Sequence, residues 1–205
     1  MNFLQFKEKF FKLSIFTTDQ VYAWYSNFDR NNFSRWVKKG LIIRLRQGLY
    51  TFPEYKTKPN FDFYAANRIY RPSYISIHSA LSFYGLIPEA VFQTTSVSTL
   101  KTASFENDFG TFVYKTISAK LMYGYSSKKI AAERYFLIAD PEKAIMDLLY
   151  LYPEYNSEDE IFELRLDEDI LLEIFNKELL TEYTEKTENK SLLQRVQKLI
   201  TVYGL

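Results

Sequence analysis

The stretch NNFSRWVKKGLIIRLRQGLYTF, residues 31–52, decides how the N-terminal part of this chain folds. Its first half carries apolar residues at spacings of three and four, which predicts an amphipathic helix from Asn31 to Lys39. Gly40 follows at the place where a left-handed residue commonly ends a helix. Its second half, residues 41–52, holds two β-forming runs around Gln47–Gly48, which predicts a β-hairpin.

The predicted helix and hairpin carry on their outer faces the types of side chain that a DNA-reading helix needs. Arginine can make two hydrogen bonds to guanine, asparagine can do so to adenine, and lysine contacts phosphates. In the hairpin the basic residues alternate with leucine and isoleucine, so they point to one side, as in a wing that lies along a phosphate backbone or reaches into a minor groove. A solvated charged helix beside a solvated hairpin would give the same pattern without DNA. The predicted DNA-binding residues are Asn31, Asn32, Ser34, Arg35, Lys38, Lys39, Arg44, Arg46 and Gln47.

Two further helices are predicted before this stretch. Apolar residues at helical spacing predict the first over residues 2–13, and a hydroxyl at Thr17 or Thr18 can cap the second. Residues 53–60 contain two prolines and no apolar period, and are therefore predicted to be a linker. Helix, turn, helix and hairpin in this order predict a winged helix-turn-helix over residues 1–58.

The remainder of the chain, residues 59–205, alternates strand and helix patterns, which predicts a mixed α/β domain that ends in helices. The fold class predicted for the whole chain is therefore α/β (α+β), with two domains, 1–58 and 59–205. The predicted strands are 74–77, 94–100, 110–117 and 134–139, and the predicted helices are 61–70, 78–86, 140–153, 167–180 and 189–203. A charged polar connector, TEYTEKTEN, is predicted between the last two helices.

Charge is distributed unevenly along the chain, although the formal net charge is only +1. Residues 1–60 hold 11 basic and four acidic residues, whereas residues 151–205 hold six and 13. Such a gradient favours a basic head that binds a polyanion and an acidic tail with another role, although ordinary scatter of surface charge gives the same gradient. The lack of cysteine and the single histidine exclude disulfides, thiolate metal sites and multi-histidine zinc sites. The apolar runs are too short for a membrane span and no signal peptide is recognised, so we expect a cytoplasmic protein with no membrane partner.

Three features suggest other roles. His78 is followed by a serine, but neighbours in sequence do not form a nucleophile–base pair, and we expect His78 to pack at the start of a helix. Asp140, Glu142 and Lys143 faintly resemble a nuclease site, but a capped helix start explains all three and leaves Lys143 on the exposed or partly snorkelled side of the helix. The acidic stretch 157–170 could dock on a basic partner or mimic a phosphate backbone, and a solvated helix face explains it more simply. No phosphate-binding glycine motif occurs, so no cofactor is expected.

Three runs of sequence occur in an order that matches a known family. They are WVKKGLIIRLRQGLYTFP (36–53), YISIHSALSFYGLIPE (74–89) and ADPEKAIMDLLYLYP (139–153). Together they resemble the AbiEi antitoxin family of type IV toxin–antitoxin systems, over residues 5–155. The resemblance implies an N-terminal winged helix-turn-helix that represses its own operon. It also implies a C-terminal domain that counteracts a nucleotidyltransferase-like toxin, AbiEii, encoded next door, without a tight complex.

We therefore expect a sequence-specific transcriptional autorepressor that binds double-stranded operator DNA, acts as an antitoxin and is not an enzyme. A DNA-tethered nuclease or nucleotide-processing enzyme is the first alternative, and a protein-interaction adaptor is the second. The sequence leaves open the operator, the toxin partner, a homodimer on DNA and the role of the tail after residue 155.

Overall fold

The computed structural model describes residues 1–89, 91–131 and 133–205. The chain has a mixed α/β fold with helices and two β-sheets, one of three strands and one of six. This agrees with the predicted fold class. No helix among the described residues is long and apolar enough to cross a membrane.

The N-terminal part builds the three-stranded sheet, in which β3 lies between β1 and β2 and pairs with both in antiparallel fashion. A single turn of 3-10 helix, Phe11–Leu13, separates the first helix from the first strand. Its elements are α1 (Phe3–Phe10), β1 (Ile15–Thr17), α2 (Thr18–Trp24), α3 (Asn31–Lys38), β2 (Ile43–Arg46) and β3 (Leu49–Thr51).

Aromatic side chains form the core of this part. Phe6 on α1 lies at its centre, with ring centroids 4.6 Å from Trp36 on α3 and 5.3 Å from Phe16 on β1. Thr17 caps α2 as predicted, because its side chain accepts the N–H of Gln20 while the Gln20 side chain accepts the N–H of Thr17. The helix and hairpin of residues 31–52 therefore pack on this aromatic core.

The C-terminal part builds the six-stranded sheet, in the order β6-β7-β5-β4-β9-β8. The pairs β5/β7 and β4/β9 are parallel, and the other neighbours are antiparallel. Its strands are β4 (Ser73–Ile75), β5 (Gln93–Ser98), β6 (Ala103–Asn107), β7 (Gly110–Thr116), β8 (Tyr125–Ala131) and β9 (Arg134–Ala139). Its helices are α4 (Phe61–Ile69), α5 (Ile77–Phe83), α6 (Pro141–Leu151), α7 (Glu158–Phe162), α8 (Glu168–Ile174), α9 (Lys177–Glu185) and α10 (Lys190–Val202).

The predicted elements of the C-terminal part need three corrections. The strands β6 and β8 were not predicted, and they form the two edges of the six-stranded sheet. The helix predicted over 167–180 is two helices, because the chain becomes extended at Phe175 and Asn176 caps a new helix through the N–H of Leu179. The stretch predicted as a polar connector after residue 180 belongs largely to this new helix, α9.

The predicted linker, residues 53–60, is packed against both parts of the chain. Pro53–Thr57 forms a 3-10 helix that buries Tyr55. The Tyr55 ring stacks on Phe61 of α4 with centroids 4.7 Å apart, and its hydroxyl donates to the carbonyl of Phe11 at 2.7 Å. These contacts fix the N-terminal part relative to the larger sheet.

Candidate nucleic-acid interface

Helix α3 divides into a buried face and an exposed face. Phe33 and Trp36 are 3% and 7% exposed, and Phe33 stacks almost parallel on Tyr50 of β3, with centroids 4.9 Å apart. Gly40 has a φ of +65°, which is the left-handed conformation that ends the helix as predicted. The polar residues of α3 are consequently presented outward on a helix that is anchored by two aromatic rings.

Arg35, the arginine predicted to read a base, extends its guanidinium group back to residues at the start of α3. Its guanidinium donates to the carboxylate of Asp29 at 2.5 Å and to the side-chain oxygen of Asn32 at 2.8 Å. The other oxygen of Asp29 accepts the N–H of Asn31 at 2.9 Å. Both partners of the ion pair are about half exposed, so water screens the pair and it stabilises the helix little. Arg35 can therefore exchange these contacts for others at small cost.

The hairpin that follows shows the predicted alternation. Ile43 and Leu45 are buried, whereas Arg44 and Arg46 are exposed. A bulge between the two arginines shifts the pairing with β3, and Gln47–Gly48 turns the chain at the tip. This short basic hairpin lies directly beside α3.

A groove of about 860 Å³ lies between α3, the hairpin and a third wall from the other sheet. Burial raises the pKa of Tyr50, and the positive charges of Arg44 and Arg30 act in the opposite direction. The groove is lined by Thr18, Arg30, Phe33, Ser34, Val37, Arg44, Leu45, Arg46, Gln47, Gly48, Tyr50, Ser104, Phe105, Glu106, Asn107 and Asp108.

The groove contains only part of the predicted set. Ser34, Arg44, Arg46 and Gln47 line it together with Arg30, which was not predicted. Spacing could have indicated Arg30, since it stands one helical turn before Ser34. Asn31, Arg35, Lys38 and Lys39 are exposed elsewhere on α3 and at its end, and Asn32 is half-buried with its side-chain oxygen bound to Arg35.

The third wall of the groove was not predicted from the sequence. It comes from β6 and the turn after it, where the amide nitrogen of Asn107 donates to the carbonyl of Leu45 at 3.0 Å. Nothing in the local sequence indicates this contact, because 62 residues separate its two partners. It follows from the packing of the two sheets against each other.

The predicted exposed position of Lys143 is wrong. Its side chain is fully buried and forms an ion pair with Asp147, one turn later on α6. Burial raises the pKa of Asp147 and lowers that of Lys143, and each charge offsets part of the other's shift. Asp147 also accepts hydrogen bonds from the hydroxyls of Tyr74 at 2.9 Å and Ser76 at 2.7 Å. This network joins α6 to the sheet.

The other residues that suggested a nuclease are engaged in packing. Asp140 stands at the N-cap of α6 as predicted, although its side chain makes no cap hydrogen bond there. Glu142 is 3% exposed and accepts the N–H of Asn176 at 2.7 Å. No group of three or more metal-ligating side chains occurs in the chain outside positions 90 and 132.

His78 packs near the start of α5, as the sequence predicted. It is half-buried, its ring meets Tyr152 edge-on at 5.9 Å, and burial lowers its pKa. It also lines a cavity of about 570 Å³ together with Glu89 and Glu163. No nucleophile is bonded to the imidazole in the part of the chain that the structure describes.

Comparison of the chain with protein-family models gave no match, and comparison with curated proteins gave none either.

Proposed function

We propose that residues 1–58 form a winged helix-turn-helix that binds double-stranded DNA, with α3 as the recognition helix and the β2–β3 hairpin as the wing. The order helix, strand, helix, helix and two strands, closed into a sheet with β3 in the centre, supports this assignment. The excess of basic residues in the first 60 positions supports it as well.

The observation that carries the proposal is the groove between α3 and the hairpin. Arg30, Arg44 and Arg46 line it and are all exposed. Among the described residues, none of these arginines has a carboxylate oxygen within 4.0 Å. Three guanidinium groups without ion pairs on one concave surface suit the phosphates of a DNA strand.

A titration with DNA across salt concentrations tests the proposal. The probe is a labelled duplex from the region upstream of the protein's own gene, followed by fluorescence anisotropy. Each lost phosphate contact lowers the steepness of the salt dependence by about 0.9, so Arg44→Ala/Arg46→Ala should reduce the slope by roughly two. The control Lys177→Ala/Lys190→Ala, on α9 and α10, removes the same charge outside the lining of the groove and should bind like the wild type.

Two variants separate base reading from phosphate contact on α3. Arg35→Ala should cost about 1–3 kcal/mol of binding free energy with the upstream duplex and should relax the preference at one base position. Lys39→Ala should weaken binding to all duplexes about equally. If both variants bind like the wild type at every salt concentration, α3 is not the reader.

We further propose that the protein is a cytoplasmic autorepressor and the antitoxin of a type IV system, on the strength of the three sequence runs that resemble the AbiEi family. The C-terminal part would then counteract an AbiEii-like nucleotidyltransferase toxin. Rescue of growth in cells that express the neighbouring toxin gene tests this. Absence of rescue by the full chain removes the antitoxin role and leaves the DNA-binding role intact.

A further inference from the structure

One wall of the arginine-lined groove belongs to the C-terminal part of the chain. It consists of residues 104–108, on β6 and the turn to β7. β6 is an edge strand of the six-stranded sheet, and it packs beside β2, an edge strand of the three-stranded sheet. The hydrogen bond from Asn107 to the carbonyl of Leu45 fastens this wall to the wing.

Two carboxylates stand on this wall. Ser104 and Glu106 point outward from β6 at alternate positions, and Asp108 follows at the same spacing in the turn. Both acidic residues are exposed and line the groove that Arg44 lines from the wing. Over the described part of the chain, neither carboxylate lies within 4.0 Å of a basic side chain. Glu106 and Asp108 therefore do not close the groove with ion pairs, but they add two negative charges to it.

We infer that Glu106 and Asp108 act as an electrostatic brake on phosphate binding in the groove, an inference that rests on the proposed DNA binding. Binding to DNA of arbitrary sequence depends almost wholly on phosphate contacts, so it is weakened by any negative charge near the phosphate path. A complex in which α3 also contacts bases has the binding free energy of those contacts in addition, and the two carboxylates do not reduce it. The brake makes stable occupancy of DNA depend on the recognition helix.

The size of the effect follows from Coulomb interactions in a wet groove. A unit charge several ångströms from a phosphate in water changes the binding constant by roughly a factor of two to three at low salt. Two carboxylates therefore weaken binding by about fivefold, and the effect decreases as salt shortens the screening length. Because phosphates are the same in every sequence, the factor should be equal for all duplexes.

The test is the full-length Glu106→Gln/Asp108→Asn variant, which removes both charges and keeps the side-chain shapes. The matched control is Glu158→Gln/Asp159→Asn, at the start of α7, which changes the net charge equally but lies on the helix packed against α10. The probes are the duplex from upstream of the gene and a scrambled duplex of the same length, each titrated at several salt concentrations. Far-ultraviolet circular dichroism checks that both variants are folded.

The inference predicts that Glu106→Gln/Asp108→Asn binds both duplexes about fivefold more tightly at low salt, with a gain that shrinks as salt rises. The control variant should bind like the wild type. Equal gains in both variants would assign the effect to net charge and overturn the inference. A loss confined to the upstream duplex would show that these carboxylates read bases, and would also overturn it.

The design separates this inference from the proposed function. If the wild type binds the upstream duplex and Glu106→Gln/Asp108→Asn binds no better, the brake is refuted and the DNA-binding proposal stands. If the wild type and both variants bind neither duplex, both proposals fail. Binding by Glu106→Gln/Asp108→Asn alone would show that the two carboxylates of the wild type prevent binding in the groove, which supports the brake in its strongest form.

Discussion

Asp147→Asn should destabilise the protein strongly because it leaves the Lys143 ammonium buried without a counter-ion. Both side chains are fully buried, so water cannot compensate for the lost charge. The asparagine oxygen can still accept from the hydroxyls of Tyr74 and Ser76, which lie 2.9 and 2.7 Å from the present carboxylate. The loss is therefore electrostatic, and removing one partner of a buried ion pair costs about 3–5 kcal/mol.

Urea unfolding followed by circular dichroism measures this loss. With a slope of about 2 kcal/mol per molar urea, the midpoint should fall by roughly 1.5–2.5 M. The double variant Lys143→Met/Asp147→Asn removes both charges and keeps the acceptor for the two hydroxyls. We expect it to be more stable than Asp147→Asn alone, with a coupling free energy of about 1–3 kcal/mol between the two sites.

Lys143→Met alone should behave differently from Asp147→Asn. Burial already raises the pKa of Asp147, and loss of the ammonium raises it further. A carboxyl with a raised pKa in the folded state favours folding at low pH and loses that contribution as the pH rises through this pKa. The destabilisation by Lys143→Met should therefore shrink as the pH is lowered.

A midpoint for Asp147→Asn within about 0.5 M urea of the wild type would refute the reasoning on the buried pair.

Three further variants test the packing. Trp36→Ala should cost about 3–5 kcal/mol in urea unfolding, since the indole is 7% exposed and meets Phe6 at 4.6 Å; a folded variant that only loses DNA affinity would contradict the burial. His78→Gln should flatten the pH dependence of stability: burial lowers the pKa of His78, so wild-type stability should fall as pH drops below the unfolded value of about 6.5. Gly124→Ala should lower the thermal midpoint, because its φ is +67° and a Cβ would stand 2.7 Å from the Tyr183 ring.

The N-terminal part could be predicted closely because its signals are local. The spacing of Phe33 and Trp36 fixes one face of α3, and Gly40 ends the helix. The alternation around Arg44 follows from the pairing of β2 with β3, since a strand with one buried face must alternate. The short strand β1 and the packing of Tyr55 were among the features missing from the prediction, and both depend on contacts with distant segments.

Lys143 shows why burial could not be predicted in the same way. A lysine at the start of a helix is usually exposed, and its sequence neighbours indicate nothing else. Its counter-ion Asp147 stands one turn later, and the rings of Tyr74 and Tyr123 pack over the Lys143 ammonium. The decisive contacts join residues about 70 positions apart, and the distance in sequence hides them.

The candidate site combines residues that local periodicity predicts with residues that only distant packing brings to it. Its two basic walls were predictable, since Ser34, Arg44 and Arg46 belong to one continuous stretch whose periodicity shows which side chains point outward. Its acidic wall was not predictable, because Glu106 and Asp108 reach the groove only when β6 is placed beside β2. Electrostatic interactions act through space, so the charge of a groove depends on every segment that lines it. The basic residues of 31–52 considered alone therefore suggest too strong an attraction of this groove for phosphate, because Glu106 and Asp108 add negative charge to it.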